Sequence, residues 1–180
     1  GREWRREDEA HLKVERCLID ANWGTSTDGD YQFCRQSAHA AVLTPSHGRF
    51  VGASSIPFSE YRRKRGDRVG LNWRIPSVHG RRAIRHVLFD SNYWKSFIHA
   101  RLAVAMGDRG CLSLFGRDPE AHRLLAEHLT SEYRVKTEGR GRAVDEWKLR
   151  PETSENHWLD CLVGCAVAAS MQGVVLPGTD

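Results

Sequence analysis

Two aspartates stand out by position. Asp20 closes an apolar run, Cys17-Leu18-Ile19, and Asp160 lies near the first turn of a small, apolar helix signature that begins Glu155-Asn156-His157-Trp158-Leu159 and runs on to Ala169. Asn156, Asp160 and Gly164 are spaced i, i+4, i+8, so they share one helix face, and the glycine leaves room for something to approach it. Acids at a strand end and a helix start suit metal-dependent phosphodiester chemistry, because rigid elements hold the ligands in place. Two-metal nucleases need carboxylates converging on cations about 3.5–4 Å apart. If Asp20 and Asp160 serve one such centre, their carboxylates should lie roughly 4–7 Å apart. The same two positions also suit a turn-forming aspartate and an acid favoured by the helix macrodipole.

Further acids and bases stand in reserve. Asp28, Asp30, Asp90 and Glu132 are additional carboxylates. Asp90 directly precedes Ser91 and Asn92 at a helix start, where capping explains it better than catalysis. Glu132 opens a candidate hairpin and reads equally as a surface charge. His157, three residues before Asp160, and Lys95, one turn into its helix, are accessory candidates for water or phosphate contact; exposed side chains would look the same. No Ser/His/Asp order, Walker loop or GxGxxG is visible, so nothing supports ATP hydrolysis.

Charge distribution adds a second theme. Lys+Arg 27 against Asp+Glu 23 leaves a net charge of only +4, but the cations cluster. Arg62, Arg63, Lys64, Arg65 and Arg68 are followed by Arg74, Arg81, Arg82 and Arg85. Such a cluster suits the phosphates of nucleic acid through counterion release, and suits a solvated loop as well. Five Cys with no CxxC pair argue against a disulfide framework or a zinc site, which points to a reducing compartment. Cys161 and Cys165, at i and i+4, read as small buried residues. The charged N-terminus and the lack of a long apolar run leave no signal peptide or membrane span.

The elements that must position these residues alternate between strand and helix, which indicates an α/β fold. At 180 residues and 40% hydrophobic content the chain can bury a sizeable core. Residues 1–13 read as a charged linker or frayed end, 14–173 as the folded domain and 174–180 as a tail. Strands are predicted over 14–19, 41–43, 49–51, 69–75, 83–89 and 111–115, with Pro45 and Gly48 as turn signals between the second and third. Helices are predicted over 30–37, with Asp28 or Asp30 as cap, and over 91–106, 118–129 and 155–172. A β-hairpin is expected around Gly139-Arg140-Gly141.

Several segments, in order, resemble the nuclease domain of phage terminase large subunits of the lambda gpA type. They are Ile19-Asp20 with Gly24, Thr25 and Tyr31-Gln32-Phe33-Cys34-Arg35; Phe89-Asp90-Ser91-Asn92-Tyr93-Trp94-Lys95 with Ala100-Arg101-Leu102; His128-Leu129-Thr130-Ser131-Glu132; Trp147; and Asn156-His157-Trp158-Leu159-Asp160-Cys161. Thr44-Pro45-Ser46-His47-Gly48 stands where the family commonly has a Lys-Gly turn, here with His. The resemblance spans about residues 15–173. It implies an RNase H-like mixed sheet flanked by helices, with a late hairpin. It also implies endonuclease activity with Mg²⁺ or Mn²⁺ on double-stranded concatemeric DNA, in the cytoplasm of a bacterial host. Partners implied are the small terminase subunit and the portal or procapsid. Asp20 and Asp160 then match the second and third acids of the family, while the first is expected on an earlier strand and the ATPase domain upstream, both outside this sequence. Two other readings stay open: a different RNase H-like nuclease, transposase or resolvase, and a non-catalytic DNA-binding or assembly module of the packaging machinery.

Overall fold

The computed structural model describes residues 3–5, 8–22, 27–79, 84–153 and 155–178. Gly24, Thr25, Arg81, Arg82 and Ala83, used in the sequence analysis, lie outside these described residues. A short exposed hairpin pairs β1 (Glu3–Arg5) with β2 (His11–Lys13). The main sheet then takes β3 (Cys17–Asp20), β4 (Leu43–Arg49), β5 (Arg68–Gly70), β6 (Trp73–Ile75) and β7 (Val87–Asp90) in the spatial order β3-β4-β7-β6-β5. The β3/β4 and β4/β7 pairs are parallel, and β6 and β5 continue antiparallel. With helices packed on it, this mixed sheet is the α/β, RNase H-like arrangement expected.

The β4 strand corrects the sequence reading at Pro45 and Gly48. A single strand runs through both residues where two strands and a turn were expected. The reason is a stagger: β3 pairs with Leu43 to Ser46, whereas β7 pairs only from Ser46 to Arg49. The Val42 carbonyl accepts from Cys17 of β3 and the Ser46 carbonyl from Ala21 just past its end, so the alternate residue Pro45 turns its nitrogen to the other side, before β7 begins. No ladder donor is required of it there. The 69–75 segment, expected as one strand, is a tight hairpin instead, turning at Leu71 and Asn72, with Asn72 at φ 48. A Cβ on Gly70 would come within 2.3 Å of the Trp73 indole, so only glycine fits that turn. The segment 111–115 forms no strand; it runs irregularly between helices.

Side-chain alternation divides the sheet into two faces. Val87 and Phe89 join Trp73, Ile75 and Leu18 on the face covered by α2 (Ser91–Leu102) and α4 (His157–Met171), where Trp94, Leu159, Val163 and Val167 are fully buried. The Trp73 indole N–H donates to Ser170 Oγ at 3.0 Å, tying sheet to helix across 97 residues. Leu88 points the other way, to Val51 and Phe58. The helix α1 (Thr27–Gln36) packs on β3 and β4, with Asp28 and Asp30 inside its first turn rather than at the cap expected of them. Asp118 caps a 3-10 turn leading into α3 (Arg123–Leu129). The late hairpin, β8 (Glu132–Gly139) and β9 (Arg142–Leu149), turns through Arg140 and Gly141, both at positive φ. That is the two-residue geometry that matches strand twist.

Candidate active site

Asp20 ends β3 in register with Ser46 of β4, and it shares strand parity with Leu18, which packs in the α2/α4 core. Its carboxylate therefore belongs to the face on which α4 lies against β3. Asp160 comes from the first turn of α4. Burial raises the Asp160 carboxyl above its ordinary range; Lys95 pulls it down, and the negative charges of Glu132 and Asp20 add to the rise. The two sequence-selected aspartates thus lie within each other's electrostatic reach.

Lys95 and Glu132 join this group. The Lys95 ammonium donates to Glu132 Oε1 at 2.5 Å and reaches Asp160 Oδ1 at 3.2 Å. Asn156 Nδ2 donates to the same Glu132 oxygen at 2.6 Å. Asn156 and Asp160 do share the face read from their spacing, and nothing stands within 4 Å of a Cβ built on Gly164. Glu132 is almost fully buried, and its second oxygen, Oε2, has no hydrogen-bond partner. It is a ligand-capable atom facing inward, not a surface charge. Behind the pair, His99 stacks on Trp147 at 4.1 Å, and burial, the largest influence, holds His99 below its usual pKa. The Trp147 indole N–H donates to Ser96 Oγ at 2.9 Å. A neutral aromatic wall therefore backs the Lys95–Glu132 bond.

The other selected residues lie elsewhere. Asp90 caps α2, accepting from Tyr93 N at 3.1 Å, and burial pushes its carboxyl up to about 6. Exposed His157 stands at the start of α4, its ring 6.2 Å from that of His128. Arg62, Arg63, Lys64, Arg65 and Arg68 are all exposed. Buried Asp67 braces their loop by accepting from Lys64 N at 2.8 Å and Ser77 N at 2.7 Å. Those two backbone bonds hold its carboxyl below the usual range. The loop leads into β5, at the opposite edge of the sheet from β3, so four strand spacings of roughly 4.8 Å separate it from Asp20. Cys161 and Cys165 are exposed rather than buried; they line an apolar groove with Leu112, Leu125 and Trp158. Their thiols are pushed up, chiefly by desolvation.

Sequence reasoning missed Asn22 as a contributor, and it placed Tyr31 and Asn156 in family-like segments without giving either a contact in the site. Asn22 N donates to Asp20 Oδ1 at 3.0 Å, and its side chain reaches His47 and Gly48. An Asp-x-Asn spacing at a strand end is the signal available for it.

The set of donors is hard and anionic, which fits Mg²⁺ or Mn²⁺ rather than a soft metal. Among the described residues no three or more His, Cys, Asp or Glu side chains are gathered tightly enough to cage a cation. An ion that one or two carboxylates would hold while it keeps several waters is compatible with that. The unpartnered Glu132 oxygen is consistent with it.

A family model for the endonuclease domain of the terminase large subunit gpA matches residues 1–177. The chain belongs to that family. Terminase nuclease function follows from the membership, and with it DNA as the substrate class. No curated protein and no solved structure matches significantly. No helix among the described residues is long and apolar enough to cross a membrane.

Proposed function

We propose that this gpA-family domain is a divalent-metal endonuclease that cuts double-stranded concatemeric DNA during packaging. Asp20 and Asp160 hold Mg²⁺ or Mn²⁺, with Glu132 and Lys95 beside them. When bound, the cation supplies charge neutralisation at the scissile phosphate and a more acidic water. The chain's own part is to fix the two carboxylates from rigid elements, a strand end and a helix. Lys95 pairs with both Glu132 and Asp160, and Asn156 holds the Glu132 oxygen. The basic 62–68 loop grips phosphates about a duplex width from the acids. Arg81 and Arg82 extend the same cluster in sequence. The observation that carries this reading is the Asp160 carboxylate, bridged to Glu132 by the Lys95 ammonium and within the electrostatic reach of Asp20. In the packaging machinery the partners are the small terminase subunit and the portal or procapsid, in the host cytoplasm.

One observation favours a second reading, a DNA-binding or assembly module without turnover: an ammonium already occupies the space between two of the carboxylates. Plasmid nicking with Mn²⁺ separates the two. The nuclease reading expects nicking that is lost in Asp20→Asn and in Asp160→Asn while DNA binding persists. Metal-independent nicking, or nicking unchanged in both variants, would sink it.

A further inference from the structure

On the far side of Asp20 lies a chain of hydrogen bonds whose direction is fixed by its own geometry. Asn22 Nδ2 donates to the Gly48 carbonyl at 3.1 Å, which leaves Asn22 Oδ1 as the acceptor facing His47 Nδ1 at 3.0 Å. His47 must therefore carry its proton on Nδ1. The lone pair is then on Nε2, and the Tyr31 hydroxyl, 2.8 Å away, donates to it. The last link is the Asn22 backbone N–H, which donates to Asp20 Oδ1. Burial supports these roles at both ends. It is the largest influence raising the Tyr31 hydroxyl, which stays a donor, and the largest lowering His47, which stays neutral with His86 and Arg49 adding to the effect. The His86 ring meets the His47 ring edge-on at 5.4 Å.

The topology explains why a relay is needed. His47 pairs in register with Leu88 and so lies on the α1 face, whereas Asp20 lies on the α4 face. Asn22 passes around the end of β3, where β4 continues beyond its partner, and links the two faces.

We propose that His47 is a positioning residue for the metal site: by holding the Asn22 side chain it aims the Asn22 N–H at Asp20 Oδ1 and so presents Asp20 Oδ2 to a divalent cation. This rests on the metal-binding reading of Asp20 and Asp160. Partners that orient a metal-ligating group typically change affinity by 10–100-fold when removed.

The test is Mn²⁺ binding to the full chain, read from the loss of the free-ion electron paramagnetic resonance signal, with urea midpoints to verify folding. His47→Ala is expected to weaken Mn²⁺ about tenfold. His47→Asn, whose Nδ2 donates from the place of Nδ1, is expected to stay within about twofold of the parent, and His47→Gln, which has no donor there, to resemble the alanine variant. If His47→Ala does not fold, the Asn and Gln variants, alike in polarity, carry the comparison. Equal affinity in all three variants, or Asn no better than Gln, overturns the positioning role while leaving the metal site intact. Absence of Mn²⁺ binding that Asp160→Asn removes overturns the metal reading and the positioning role with it.

Discussion

Lys95 and Glu132, 37 residues apart, meet in a bond of 2.5 Å with 11% and 4% of their side-chain surfaces exposed. The pair joins α2 to the first residue of the hairpin. Lys95 also reaches Asp160, whose side chain keeps 45% of its surface, so solvent screens that contact far more. Removing one member of a buried pair strands the other. Lys95→Met is expected to cost roughly 3–5 kcal/mol in urea unfolding. Lys95→Met combined with Glu132→Leu should recover most of that loss; a double variant no more stable than the single one would contradict the assignment.

Asp90 sets a pH dependence. Its folded pKa, about 6, lies above the ordinary 3.8, chiefly through burial and despite the Tyr93 and Asn92 backbone bonds and Arg142. The folded state therefore binds more protons than the unfolded state across this window. Stability contributed by this group falls as pH rises from about 4 to about 6 and stays low above it. Asn also caps well, so Asp90→Asn should remove the fall and stabilise the protein near pH 8 by up to roughly 3 kcal/mol. Urea midpoints at pH 5 and pH 8 measure it, and an identical pH slope in both proteins would count against it.

The basic loop makes an electrostatic prediction. Replacing Arg62, Lys64 and Arg65 with Gln should lower the slope of log K against log salt for duplex binding by roughly 2–3. Fluorescence anisotropy across a salt series gives that slope. An unaltered slope would place DNA elsewhere on the surface.

Gly70 is tested by steric means. Gly70→Ala places a methyl against the Trp73 ring, which is itself buried and bonded to Ser170. Overpacking of this kind costs about 1–3 kcal/mol, readable as a lowered thermal midpoint with the Trp73 environment altered in near-ultraviolet dichroism.

Much of this was legible in the sequence, and the exceptions have physical causes. The Asp90 cap, the Asp118-Pro119 helix start, the Arg140-Gly141 turn and the shared face of Asn156 and Asp160 are local, and local rules govern them. Pro45 misled because its effect depends on which neighbour strand is present at that one residue. Glu132 stayed open between a reserve acid and a surface charge because nothing near it in sequence reveals that Lys95 and Asn156 arrive from two other elements. The Tyr31–His47–Asn22 chain was illegible for the same reason: each link joins a different element, and only the tertiary fold makes them neighbours.

The packing of α4 against β3 also sets an order of events. β3 is the first strand of the main sheet and α4 the last helix among the described residues, so their contact closes a long loop. Loop-closure entropy makes such a contact late. On the proposed site, Asp20 and Asp160 are therefore expected to come together after the sheet has formed. On the proposed metal reading, metal binding during refolding should lag behind hydrogen-exchange protection of β4 and β7.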